Sequence, residues 1–112
     1  MQSAGFIATA WNNGKHHTTG AGYGLKISVA DRDTFMRRAW GSVDLHLSGA
    51  AEPIRVNIAK DSFWSDTCRE LISQHIGHWL IAQGLAPWPD GKPPRFRLVP
   101  RHPRGFDVLL AK

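Results

Sequence analysis

Trp11–Gly24 reads WNNGKHHTTGAGYG, and how this stretch is understood decides the architecture. It joins two apolar runs, Phe6–Ala10 and Tyr23–Val29. Between them stand Asn12, Asn13, Lys15, His16, His17, Thr18 and Thr19, all hydrogen-bonding side chains, with no acid among them. Glycines punctuate the stretch, and a residue without a Cβ lets the backbone bend or approach a partner closely. Hairpin turns use about two to five residues. A longer polar arm bounded by glycines is either disordered or reaches for a partner.

Working outward, the flanking runs read as strands. Phe6–Trp11 is short and apolar. Tyr23–Val29 sets Tyr23, Leu25, Ile27 and Val29 against Gly24, Lys26 and Ser28, the period of two of a half-buried strand. Ser28 and Asp31 then resemble a capping box. Phe35, Met36, Ala39 and Trp40 follow at helical spacing up to Gly41, which predicts one short helix. Val43, Leu45 and Leu47, and then Ile54, Val56 and Ile58, alternate with polar residues around the turn Gly49–Pro53, a hairpin. Thr67 with Glu70 predicts a second helix start. Cys68, Leu71, Ile72, Ile76, Trp79 and Leu80 continue it to Gly84, with Leu85 placed for a Schellman contact. The proline-rich stretch Ala86–Pro94 breaks the chain. Arg95–Val99 and Phe106–Leu110 are the last strands, around a basic turn Pro100–Gly105. The order β-β-α-β-β-α-β-β predicts an α+β, mainly β fold. It is an antiparallel open barrel of about six to seven strands with two helices, in a single domain over residues 1–112.

Composition narrows the function classes. Fourteen Lys and Arg face nine Asp and Glu, a formal net charge of +5, which favours a polyanionic partner. The single cysteine, Cys68, forms no internal disulfide and suits a reducing cytosol. It falls on the apolar ladder and reads as a core thiol. No apolar run approaches the ~20 residues of a membrane helix, and the start of the chain lacks signal-peptide character. A cytoplasmic protein without membrane contact is expected.

No motif points to catalysis. Gly14-Lys15 lacks the upstream glycine and the following Ser or Thr of a phosphate loop, because position 16 is His. His75-Ile76-Gly77-His78 spells a synthetase signature without the long domain that signature belongs to, and no further ligand accompanies the two histidines. His16 and His17 have no nearby carboxylate with which to hold a catalytic metal. Neither enzyme activity, metal nor cofactor is expected. What remains is base-reading and phosphate chemistry. Asn reads adenine, Lys and His donate to guanine, and a Thr methyl meets that of thymine. Lys92, Arg95, Arg97, Arg101 and Arg104 supply candidate phosphate contacts.

A polar glycine-bounded arm, then GYGLKIS, then a helix containing Phe35-Met36, and later RELIS…WLIAQGL before basic strands, resembles the DNA-binding pseudobarrel. That fold is shared by the effector domain of EcoRII-type restriction endonucleases and by plant transcription-factor DNA-binding domains. The resemblance implies a module that reads the major groove of double-stranded DNA with two arms. The first arm would be Asn12, Asn13, Lys15, His16, His17, Thr18 and Thr19. The second would be Lys60, Ser62, Trp64, Ser65, Asp66, Thr67 and Arg69. It also implies a separate nuclease or regulatory protein as partner. The capping logic starts a helix at Cys68, where the resemblance places a strand, so the two readings differ over Asp66 to Arg69. Three alternatives stand beside this reading. One is an RNA or single-strand binder stacking bases on Trp64 and Trp88. Another is a basic protein-interaction module. The third is an enzyme in which Asp44 or Asp61 converges on His16 or His17.

Overall fold

Alternation along the strands builds the interior. In the computed structural model, which describes residues 5–67 and 69–111, strand β1 (Phe6–Asn12) turns Phe6, Ala8 and Ala10 inward. Strand β2 (Tyr23–Lys26) does the same with Tyr23 and Leu25. Helix α1 (Val29–Phe35) begins at Ser28, whose Oγ accepts the Asp31 N–H at 3.0 Å while donating to the Asp31 carboxylate. The expected Ser28 cap forms, with the Asp31 carboxylate accepting the Ser28 hydroxyl rather than its backbone N–H. Strands β3 (Ser42–Leu47) and β4 (Ile54–Asn57) form the expected hairpin, with Val43 opposite Val56. Strand β5 (Glu70–Ile72), helix α2 (Gln74–Ala82), β6 (Arg95–Arg101) and β7 (Gly105–Leu110) follow.

The described strands make one seven-stranded sheet in the order β4-β3-β7-β6-β1-β2-β5, a nearly closed barrel-like sheet with two helices. Its two edges, β4 and β5, approach without forming a ladder. Every pairing among the described residues is antiparallel except one: β3 runs parallel to β7, with Leu45 beside Phe106 and Leu47 beside Val108. The strand directions place the first arm, α2 and the proline-rich segment at one end of the barrel. At the other end lie α1, the segment between β4 and β5, and the β6–β7 turn. Trp79 of α2 packs on Phe96 at 5.2 Å and donates its indole N–H to the Ser48 carbonyl at 2.8 Å. Phe35 of α1 stacks on Phe6 at 4.7 Å.

Three local expectations are corrected. The first helix does not run to Trp40. It ends at Phe35, Met36 turns extended and buries its side chain, and a separate 3-10 turn spans Arg38–Trp40. Burying Met36 and stacking Phe35 on Phe6 require different directions from those a continuous helix provides. The second helix does not begin after Thr67. Glu70, Leu71 and Ile72 pair with Lys26, Leu25 and Gly24, and the true cap is Ser73, whose Oγ accepts the His75 N–H at 3.1 Å. Strand β2 stops at Lys26, although Ile27 remains buried. The core-thiol reading of Cys68 lies outside the described residues. The helix end was legible. Gly84 takes a φ of 73°, and the Leu85 N–H reaches the Leu80 carbonyl at 2.9 Å while the Gly84 N–H reaches that of Ile81 at 3.0 Å. This is the Schellman pattern.

Gly77, a weak helix former, has a packing reason to be in α2. A Cβ there would fall 2.1 Å from the Gly20 carbonyl oxygen, so the two backbones are in direct contact. Gly77→Ala gains about 1 kcal/mol of helix propensity. It also forces the first arm off the helix, and overpacking of this kind costs ~1–3 kcal/mol or more when backbone must move. A lowered urea midpoint, with chemical-shift changes concentrated at residues 17–22, is the expected result.

Candidate functional site

The first arm is a structured loop. The Asn13 N–H donates to the Gly22 carbonyl at 3.0 Å and closes its base. Asn12 accepts the Gly14 N–H on Oδ1 at 2.9 Å, which leaves its Nδ2 facing His16 Nε2 at 3.0 Å. His16 Nδ1 lies 2.8 Å from the Tyr23 hydroxyl. With Asn12 Nδ2 donating to Nε2, the ring proton belongs on Nδ1, which then donates to the Tyr23 hydroxyl. Trp88 from the proline-rich segment packs edge-on against His16 at 4.6 Å and against Tyr23 at 5.8 Å. Asn12 and His16 are therefore spent on holding the arm. Asn13, Lys15, His17 and Thr18 are exposed, and among the described residues no hydrogen bond occupies their side chains; Thr19 is exposed and its Oγ accepts the Ala21 N–H at 3.4 Å.

The second arm is held by a residue that sequence reasoning missed. Arg32 of α1 is only 4% exposed. Its guanidinium donates to the Phe63 carbonyl at 2.9 Å and the Ser65 carbonyl at 2.6 Å, pairs with Asp33 at 3.0 Å, and lies 5.1 Å from the centre of the Trp64 ring. The arm itself carries a 3-10 turn, Asp61–Trp64. Trp64 is half-buried and donates to the Ile58 carbonyl at 2.7 Å. Ser65 donates to the Ser62 carbonyl at 2.7 Å. Arg69 donates to the carbonyls of Ile27, at 2.9 Å, and Asp66. Trp64, Ser65 and Arg69 thus build the arm, while Lys60, Ser62, Asp66 and Thr67 form its exposed surface.

β2 brackets the two arms. The first arm runs directly into Tyr23; the second ends at Arg69, whose carbonyl accepts the Ile27 N–H at 3.1 Å. The feet, at Tyr23 and at Ile27 just beyond β2, are four residues apart, about 13 Å of extended backbone. Between them the outward faces of β6, β1, β2 and β5 align Arg95, Thr9, Lys26 and Glu70 across the sheet, with Arg97 beside Ile7 in the next row. Lys26, Arg95 and Arg97 are exposed and make no ion pair among the described residues. The five candidate phosphate residues do not form one cluster. Arg95 and Arg97 lie on this face, Lys92 sits at the first-arm end, Arg104 sits in the β6–β7 turn, and Arg101 is paired with Asp107 at 3.0 Å. Lys26 was missed, although the alternation in GYGLK already turned it outward.

Asp44 is paired with Arg55 and Asp61 with Arg38, both at the end of the barrel away from His16 and His17. No group of three or more metal-ligating side chains occurs among the described residues, and no described helix is long and apolar enough to cross a membrane. In comparisons with protein-family models, curated proteins and solved structures, the chain matches none.

Two predictions follow from the way the arms are held. Arg32→Met leaves the Phe63 and Ser65 carbonyls without their donor, an expected loss of about 2–4 kcal/mol. Hydrogen exchange should then quicken at residues 63–65 before it does in the β-core. Burial pushes the Tyr23 phenol above its ordinary 10.0. The folded chain therefore holds this proton more tightly than the unfolded one. Its contribution is complete below pH ~10 and is lost as pH rises above that. Urea unfolding between pH 8 and 11 should show a steeper decline for the wild type than for Tyr23→Phe.

Proposed function

We propose that this chain is a double-stranded DNA-binding module whose two arms enter the major groove while the face between them lies along the backbone. The observation that carries this reading is the β2 bracket. The arm feet are four residues apart in the chain, about 13 Å of extended backbone and close to the ~12 Å width of the major groove, and between them, beside Glu70, lie basic side chains that make no ion pair among the described residues. Both arms are tied down before any partner arrives, which lowers the entropy cost of binding. The exposed first-arm donors Lys15 and His17, with Asn13, Thr18 and Thr19, are the groups that read base edges. Lys26, Arg95, Arg97 and Lys60 hold phosphates. The net charge of +5 and the resemblance to pseudobarrel recognition domains point the same way. In this reading the module serves a separate nuclease or regulatory protein.

Duplex DNA is preferred over a single strand because Trp64 and Trp88, the expected stacking platforms, are half-buried and packed within the fold. A polarisation titration with a random duplex library should give tight binding at ~50 mM salt, with a log–log salt slope of about −4. Lys26→Gln and Arg97→Gln should each flatten that slope by ~0.9. His17→Ala should instead relax preference among sequences by about 1–3 kcal/mol at one position. No binding at ~50 mM salt, or binding unchanged by all three substitutions, would refute the proposal.

A further inference from the structure

A hollow of about 270 Å³ opens at the second-arm end of the barrel, between the 3-10 turn Arg38–Trp40 and the β6–β7 turn. Phe35, Trp40, Pro100, Arg104 and Phe106 are among its walls. A second hollow of about 270 Å³ lies next to it, beside Arg37, and shares Phe35, Trp40 and Pro100 as lining. Each lies close to the lower end of the ~300–1,000 Å³ range of small-molecule sites. Neither includes a residue of the two arms.

The walls are pre-formed. Phe6 stands behind both Phe35, at 4.7 Å, and Phe106, at 5.5 Å. The Arg104 carbonyl accepts the Asp44 N–H at 3.1 Å, and the Trp40 N–H donates to the Arg37 carbonyl at 3.0 Å. The remaining polar capacity is unevenly spent. Trp64 and Trp79 give their indole N–H groups to carbonyls, whereas that of half-buried Trp40 has no partner among the described residues. Arg101 is satisfied by Asp107, while Arg37 and half-buried Arg104 make no ion pair among the described residues. Asp33, at the far rim, is already paired with Arg32. An aromatic floor with a cationic rim is complementary to a planar ring that carries an anion. A proline-rich peptide would use the floor and leave the rim unanswered.

We propose that this groove binds a nucleotide, its base lying against Trp40 and Phe35 and its phosphate held by Arg104. The proposal is independent of the duplex reading, because it uses none of the side chains between the arms. The shared chemistry is a base with an attached phosphate, free or within a strand.

The test is an NMR titration of the whole chain with AMP, CMP, GMP and UMP, with adenosine, inorganic phosphate and a single-stranded trinucleotide as comparisons. Mononucleotides should shift the Trp40 indole N–H and the Gly105 amide first. Adenosine and phosphate should each bind at least ~10-fold more weakly than AMP, since each lacks half of the contacts. Arg104→Gln should weaken AMP by about 10-fold, and Trp40→Leu by ~5-fold or more, with Lys26→Gln without effect. Tighter binding of the trinucleotide assigns the groove to a strand; equal or weaker binding assigns it to a free nucleotide. Absence of shifts at ~5 mM nucleotide on the wild-type chain overturns the proposal. So do shifts centred on the arms, phosphate binding as tight as AMP, or an Arg104→Gln protein that binds AMP normally.

Discussion

The parallel ladder between β3 and β7 is the constraint on which the architecture depends. Leu45 and Leu47 lie beside Phe106 and Val108 there, all buried. Without this ladder the β3–β4 hairpin would be detached from the sheet that runs from β7 to β5. A two-stranded hairpin alone is marginal in water. Joined, the seven strands wrap around one core, and each helix covers one end: Phe35 of α1 packs on Phe6, and Trp79 of α2 on Phe96. The strand directions imposed by this closure also decide which loops share an end of the barrel.

Those loops are held by different contacts at the two ends. The first arm is seated by backbone contact between Gly20 and Gly77, and by a chain of hydrogen bonds through Asn12, His16 and Tyr23. The second is clamped by a charge, because Arg32 donates to two carbonyls of the loop while its guanidinium carbon lies over the Trp64 ring. Neither device consumes the exposed side chains Lys15, His17 or Lys60. Holding a loop with its small, amide or buried residues leaves its long polar side chains available to a partner. That division separates the residues named from sequence into those that build the site and those that present it.

Part of this was legible before the fold was known. Lys26 was placed outward by the alternation of its strand, yet nothing marked it as part of a shared face until Thr9, Arg95 and Glu70 were aligned beside it. Arg32 gave no signal at all. Its neighbours Asp31 and Asp33 made the segment look like a solvated helix start, and its partners lie 31 and 33 residues away. The candidate phosphate residues looked like one basic segment because Lys92 to Arg104 are close in sequence. A strand that spans the barrel carried them to different places, and Asp107 claimed Arg101.

By itself the sequence determined the inward faces of the longer strands, the β3–β4 hairpin, the Ser28 cap and the Schellman end of α2. Each is set by periodicity or by bonds within a few residues, so local pattern carries the whole instruction. Tertiary structure decided the rest. Glu70–Ile72 is too short to display a period, so Leu71 fits a strand or a helix equally well, and only β2 as a neighbour makes it β5. The parallel β3–β7 pairing joins segments about sixty residues apart and has no local signature. Gly77 reads as a flaw in a helix until Gly20 arrives against it. The physical reason is the same in each case: a contact whose partners are distant in the chain leaves no mark on the spacing of either one.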